Sequence, residues 1–129
     1  MKECMTMRRT IRLFLIIEAT CFIVAGAIHS GLLVAVDIHH QAALAESIIG
    51  VVLLLGFALT WIWPGQTQLI GLIVQTFAAL GTLVGVSTII AGFGPHTAPD
   101  LSFHVAILAA LVWGLVAATR SHGVRGARA

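Results

Sequence analysis

The sequence predicts an all-α integral membrane protein, an up-down bundle of four transmembrane helices. Of its 129 residues, 59% are hydrophobic and 9% are charged, whereas an average soluble domain has about 25% charged residues. Mean hydropathy is +1.04. All seven Lys and Arg residues lie in two tails, 1–12 and 120–129, and the region between them divides into apolar segments. These observations exclude a soluble globular domain.

The four apolar segments are about the length of membrane spans. They cover about 13–36, 42–63, 69–93 and 101–119, each close to the ~20 residues that a helix needs to cross the hydrocarbon core. The breaks between them are polar or rich in Gly and Pro, which is typical of turns. Because short connections make successive helices antiparallel neighbours, residues 1–129 are predicted to form one transmembrane domain.

The basic tails predict the orientation. Lys and Arg are retained on the cytoplasmic side of a membrane, so both termini are expected inside the cell, with the protein in the inner (plasma) membrane. The breaks at 37–41 and 92–100 then lie outside. In the alternative, residues 1–27 are a signal peptide cleaved after Ala25-Gly26-Ala27, although Glu18 interrupts its apolar region.

Ionisable residues occur in the apolar middle, where no Lys or Arg is available to pair with them. Helical rise places His29, Glu46 and His104 ~12, ~9 and ~6 Å below the outer boundary. Charged groups inside spans are costly and are usually functional. Between 13 and 119 there are four carboxylates and five histidines: Glu18, Asp37, Glu46 and Asp100, with His29, His39, His40, His96 and His104.

Imidazole and carboxylate side chains suit copper, zinc and iron, so we expect a transition-metal site near the outer face, used in metal handling or redox chemistry. Whether the protein is an enzyme stays open. The alternative is a hydrogen-bonded packing network of Glu46, His29 and His104 beneath solvated loop histidines. The expected ligands are Glu46 and His104, then His29 as third ligand or hydrogen-bond donor behind them, with His39 and His40; Asp37, His96 and Asp100 are expected as entry or outer hydrogen-bonding groups.

Haem is a second cofactor hypothesis. His29 and His104 are on the first and last spans and could supply two axial ligands inside a bundle. This hypothesis leaves the outer carboxylates unexplained, so it ranks below a mononuclear metal.

Glu18 is isolated on the inner half of the first span. It precedes His29 by 11 residues, three helical turns plus about 20°, so both share one face. Gln75 on the third span is at a depth from which it can reach Glu18. A polar track for proton relay, or a proton-coupled carrier acting as an oligomer, is the functional hypothesis. The alternative is a neutral Glu18 satisfied by one amide.

Other features concern partners and helix ends. Gly81 with Gly85, and Gly26 with Ser30, have the small-xxx-small spacing of closely packed membrane helices, within one bundle or in a homo-oligomer. A non-enzymatic accessory subunit of a larger membrane complex is a rival function. Nucleic-acid binding is not expected, because no basic patch with interleaved aromatics is present. Asp100 or Ser102 is predicted to cap the last helix.

Overall fold

The computed structural model describes the backbone of residues 2–34 and 38–126 and the side chains of 4–34 and 38–120. This part of the chain forms four long helices, a single-turn 3-10 helix and no strand, which confirms the predicted all-α four-helix bundle. The helices are α1 (Lys2–His29), α2 (His40–Ile62), α3 (Thr67–Ile90) and α4 (Ala98–Gly126), with the 3-10 turn at Pro64–Gln66.

Each of the four helices is long and apolar enough to cross a membrane. Their most apolar windows have mean hydropathies of 2.2, 2.3, 2.1 and 2.2, and only 22% to 39% of each window is buried inside the bundle. Large apolar side chains therefore face outward on every helix. Soluble monomers rarely expose so much apolar surface to water, whereas lipid can cover it. The structure therefore indicates a multi-pass membrane protein.

The helices form a ring in which each packs on its chain neighbours and α4 closes on α1. We call the end where α1 begins, α4 ends and Pro64–Gln66 joins α2 to α3 the tail end. The opposite end, where α1 and α3 end and α2 and α4 begin, is the site end. Both described chain ends therefore lie at the same side of the bundle.

α1 supplies much of the buried interior. Leu15, Glu18, Phe22, Ala25 and His29 recur at intervals of three or four residues, and all are less than 9% exposed. This spacing places them on one stripe of the helix. The ring of Phe22 meets that of Phe103 on α4 edge to face, 5.9 Å between centroids. The same stripe thus carries the apolar core and two of the ionisable residues singled out in the sequence.

Glycines let the helices approach one another closely. A Cβ at Gly26 would lie 2.6 Å from Ser47 Oγ, and a Cβ at Gly50 would lie 2.8 Å from an Ile23 side-chain carbon. Contacts this close require glycine, because backbones can then pack directly on neighbouring helices. Gly81 packs against Ile49 in the same way. These glycines therefore contribute to packing within one chain.

The first helix differs from its predicted bounds of 13–36 at both ends. It begins at Lys2, so the predicted tail 1–12 is helical from residue 2 onward, and it ends at His29. Gly31 has φ +78°, and its N–H and that of Leu32 bond back to the carbonyls of Ile28 and Ala27. This is a Schellman motif, which terminates a helix even in an apolar sequence.

The last helix begins three residues earlier than predicted, and neither Asp100 nor Ser102 caps it. α4 starts at Ala98, and the preceding Thr97 supplies the cap, because its Oγ1 accepts the N–H of Asp100 at 3.4 Å. The Thr97 hydroxyl donates in turn to Asp100 Oδ2. This reciprocal arrangement resembles a capping box, and it fixes the Asp100 carboxylate in the first turn of α4. Beyond the predicted end at 119, α4 continues to Gly126.

Candidate functional site

Three helices bring one histidine and two acids together at the site end. His29, the last residue of α1, has Nδ1 2.6 Å from Glu46 Oε2 on α2. Its Nε2 is 2.9 Å from Asp100 Oδ1 on α4. The three side chains are only 8%, 7% and 14% exposed. We refer to Glu46, His29 and Asp100 as the triad.

The triad has a definite proton requirement. An ionised carboxylate only accepts hydrogen bonds, whereas a neutral imidazole has one donor and one acceptor nitrogen. Both hydrogen bonds of His29 therefore need either an imidazolium ring or a proton on one carboxyl group. In either arrangement the three groups together carry one negative charge, and the hydrogen bonds of His29 offset part of the cost of placing two acids largely away from water.

One oxygen of Glu46 remains without a partner. Glu46 is 5% exposed, and within the described part of the chain no hydrogen-bond partner reaches its buried Oε1. Buried polar atoms are nearly always hydrogen-bonded, so an orphan of this kind requires a specific explanation. Glu46 lines a cavity at the site end, where a ligand could satisfy this oxygen.

His104 lines the same cavity with a defined tautomer. Its Nδ1 lies 2.8 Å from the carbonyl oxygen of Asp100, one turn earlier on α4. Because a carbonyl oxygen only accepts, Nδ1 must carry the proton, and Nε2 of the neutral ring then has a free lone pair. Gly85 on α3 faces this nitrogen, and a Cβ there would lie 3.3 Å from it. Glycine therefore keeps the space beside Nε2 open.

The cavity has a volume of about 390 Å³ and is lined mainly by α2, α3 and the connections next to them, with Phe22 from α1 and His104 from α4. Apolar side chains such as Phe22 and Ile49 line its inner part. His39 and His40 line it where α2 begins, and Phe93, Gly94 and Pro95 line it after α3. It thus combines an apolar wall with a carboxylate and imidazoles, as in many small-ligand sites.

The predicted metal-binding residues are only partly brought together. Within the described residues, no three His, Cys, Asp or Glu side chains are arranged to hold a metal ion. Glu46 and His104 share the cavity, with half-buried His39 and exposed His40 beside it. Both ring nitrogens of His29 are hydrogen-bonded to carboxylates, so ligation of a metal or of haem iron by His29 would require breaking one of these bonds.

Two further predicted residues are not part of this arrangement. His96 is exposed in the connection between α3 and α4 and does not line the cavity. Asp37 lies outside the described residues. Asp100, by contrast, was expected only as an entry or outer group, yet it contacts His29 directly.

Glu18 and Gln75 make the contact expected from their depths. Gln75 Nε2 donates to both carboxyl oxygens of Glu18, at 3.2 and 3.1 Å, and both side chains are 0% exposed. Gln75 Oε1 is buried without a partner in the described part of the chain. Gly114 on α4 provides the space, because a Cβ there would lie 2.1 Å from Gln75 Nε2 and 3.0 Å from Glu18 Oε1.

Apolar residues separate this pair from the triad. Phe22 and Ala25 lie between Glu18 and His29 on the same stripe of α1, and they are 2% and 7% exposed. Among the described side chains, no hydrogen bond links the two regions. A proton relay or carrier role for Glu18 and Gln75 therefore stays a prediction.

Two residues that are important for these arrangements, Gly114 and Thr97, are not among the residues predicted from the sequence. Gly114 has no signal in the sequence, because a single glycine in a span is ordinary and its meaning depends on what packs against it. Thr97 had a signal: Thr97-Ala98-Pro99-Asp100 places a hydroxyl three residues before an acid, which is the spacing of a capping box. The triad itself depends on contacts between residues 71 positions apart.

No protein-family model, curated protein or solved structure significantly matches this chain.

Proposed function

We propose that this protein binds a divalent transition-metal ion in the site-end cavity, with Glu46 and His104 as its protein ligands. One observation carries the proposal: Glu46, whose Oε1 is unpartnered, and His104, whose Nε2 has a free lone pair, line the same cavity. Neutral imidazole and carboxylate are ligands for copper, zinc and iron, and a cation would satisfy the orphan oxygen.

The hydrogen bonds around the two ligands fit this role. Metal-binding imidazoles usually donate their other N–H to a carbonyl or carboxylate, which fixes ring orientation. His104 does so through Nδ1. A metal-binding carboxylate is usually hydrogen-bonded as well, and His29 holds Glu46 Oε2. His29 therefore acts from behind the ligands, and Asp100 orients His29 in turn.

The proposed site is open. Two protein ligands leave coordination positions for water, a substrate group, or an imidazole of His39 or His40 after a side-chain rotation. Open positions are typical of metal sites that exchange their ion or perform chemistry, whereas closed four-ligand sites are structural. Metal handling or redox chemistry is the corresponding role.

We further infer that both termini are cytoplasmic and that the protein lies in the inner membrane. The basic tails support this inference, and it would place the cavity at the outer leaflet. The outward-facing apolar side chains are accounted for by lipid, so they give no separate support to a homo-oligomer or to a subunit of a larger complex.

The test is metal binding by the purified protein in detergent. Metal-depleted protein is titrated with Zn²⁺, Cu²⁺ and Co²⁺, with affinity from calorimetry, stoichiometry from elemental analysis and coordination from the Co²⁺ absorption spectrum. We expect one ion per chain. The variants Glu46→Gln and His104→Ala should each weaken binding by about tenfold or more, because each removes a ligand.

Two matched controls make the test specific. Glu18→Gln is the same substitution at a buried glutamate remote from the cavity, and His96→Ala removes an exposed imidazole at the same end. Both should retain wild-type affinity. Absence of stoichiometric metal, or equal loss in Glu46→Gln and Glu18→Gln, would overturn the proposal. A Soret band in the purified protein would favour haem instead.

A further inference from the structure

A basic groove lies at the tail end, remote from the proposed metal site. It has a volume of about 730 Å³ and is formed by the first turns of α1 together with the end of α2. Its polar part contains three arginines, Arg8, Arg9 and Arg12, and its apolar part includes Leu13, Ile16 and Phe57. Positive charge and apolar surface therefore meet in one concave surface.

Arg12 is fixed in this groove by α2. Its Nη2 donates to the Thr60 carbonyl at 2.6 Å and its Nε donates to Thr60 Oγ1 at 3.1 Å. The guanidinium carbon lies 3.9 Å from the centroid of the Trp61 ring, a cation–π contact. These bonds use two of the five N–H groups of the guanidinium. The others remain available for an anion without further ordering of the side chain.

Arg8 and Arg9 extend the positive surface by one turn. Arg8 and Arg12 are four residues apart and share a helix face, while Arg9 lines the groove from beside them. Among the described side chains, no carboxylate lies within ion-pair distance of these arginines. In the sequence, Glu3 is the single acid of residues 1–12, against four basic residues. Residues 1–12 therefore carry an excess of positive charge.

We propose that this groove binds one anionic phospholipid. The phosphate would contact Arg8, Arg9 and Arg12, and an acyl chain would follow the exposed Leu13 and the half-buried Ile16 into the bilayer. Charge complementarity selects an anionic headgroup, since guanidinium groups form strong charge-assisted hydrogen bonds with phosphate. Basic pockets beside membrane helices bind anionic lipid headgroups in this manner. Trp61, which also lines the groove, is 62% exposed, and tryptophan is enriched at the level of the headgroups.

The test is lipid competition in detergent, monitored by native mass spectrometry. Purified protein is mixed with equal amounts of phosphatidylglycerol and phosphatidylcholine of the same acyl chains. We expect preferential retention of one phosphatidylglycerol. In the double variant Arg8→Gln/Arg9→Gln, the ratio of bound phosphatidylglycerol to bound phosphatidylcholine should fall about tenfold, because charge-assisted hydrogen bonds contribute at least that factor. Arg8→Lys/Arg9→Lys should keep most of this preference.

The matched control is Arg120→Gln/Arg125→Gln, which removes two positive charges from the other tail and should leave the preference unchanged. Equal loss in both double variants would show a general attraction of basic tails and would overturn the site. Full competition by excess inorganic phosphate would show a headgroup site without a lipid chain and would also overturn it. Lack of headgroup preference in the wild type has the same consequence.

Discussion

Glu46 and Glu18 are both buried in the same bundle, and their surroundings differ in every respect that matters for function. Glu46, 5% exposed, shares a proton network with His29 and leaves one oxygen unpartnered beside an open cavity. Glu18, 0% exposed, is held through both oxygens by one amide, with Gly114 packed against the pair. One glutamate lines a cavity, and the other is enclosed by the core.

This difference shows how a buried acid is to be interpreted in a membrane protein. Burial alone makes an acid costly wherever it lies. A functional interpretation needs, in addition, space next to the acid and a second group able to act on the same ligand. Glu46 has both, because His104 lines the same cavity. Glu18 has an amide beside it, but both Glu18 and Gln75 are 0% exposed. A variant of this pair should therefore change stability, and stability is the first property to measure.

The largest expected effect follows from removing the imidazole of the triad. His29→Ala leaves the buried Glu46 and the partly buried Asp100 without their shared donor and should lower the free energy of unfolding by about 3 kcal/mol, the lower limit for breaking a buried ion pair. Gln75→Ala removes a donor from a single carboxyl and should cost less. Unfolding in mixed micelles measures both.

The double variant His29→Ala/Glu46→Gln serves as the control, because an amide needs no charge compensation. It should recover part of the stability lost in His29→Ala. If His29→Ala and Gln75→Ala cost the same, charge compensation does not distinguish the two regions.

An intermediate effect is expected at Gly114. Gly114→Ala places a methyl group where Gln75 Nε2 and Glu18 Oε1 now lie, so the pair must shift, at a cost of about 2 kcal/mol. In a Gln75→Ala background the methyl group has room, and the same substitution should cost much less. Unfolding free energies of the four proteins in this cycle measure the coupling.

Gly65→Ala is the control for the glycine substitution, because a Cβ there meets no atom within 4 Å, and its stability should stay close to the wild type. Additive costs of Gly114→Ala and Gln75→Ala would contradict the close packing of Gly114 on the pair.

The smallest expected effect concerns the cap of α4. Thr97→Ala removes the hydroxyl that bonds the Asp100 N–H and carboxylate and should cost about 1 kcal/mol, as for other helix caps. Ser102 is exposed and is one of the two residues that the sequence predicts as caps. Ser102→Ala should change stability little. Amide exchange should rise in the first turn of α4 in Thr97→Ala alone. Equal amide-exchange rates in this turn in the wild type and in Thr97→Ala would contradict the capping role.

The sequence predicts the number and nature of the helices because lipid imposes a length and a composition on every span. It predicts their ends less well. Hydropathy extends the first span to 36, whereas Gly31 ends the helix near His29 through backbone geometry to which hydropathy is insensitive. For a related reason the sequence predicts the start of α4 three residues too late. Thr97 caps the helix by a hydrogen bond, so Pro99 and Asp100 are already within it.

The candidate site was predictable as a region and only partly as an arrangement. Depths along straight helices place His29, Glu46 and His104 near one end, because helical rise is constant. Rotation of one helix against another is set by packing, here by Gly26 and Gly50 at the close approach of α1 and α2. The packing of α1 on α2 brings Glu46 onto His29, whereas Asp100 reaches His29 from α4 and His104 faces Gly85 on α3.

The sequence by itself thus determined a four-helix membrane bundle with its positive charge in the tails and its histidines and acids concentrated toward one end, since composition and periodicity are local properties that lipid selects. Only the tertiary structure decided that Asp100 bonds to His29, that Gln75 donates to Glu18 with Gly114 packed against the pair, and that Glu46 and His104 share a cavity. Contacts of this kind depend on the distances and rotations between helices, which are fixed by the collective packing of side chains.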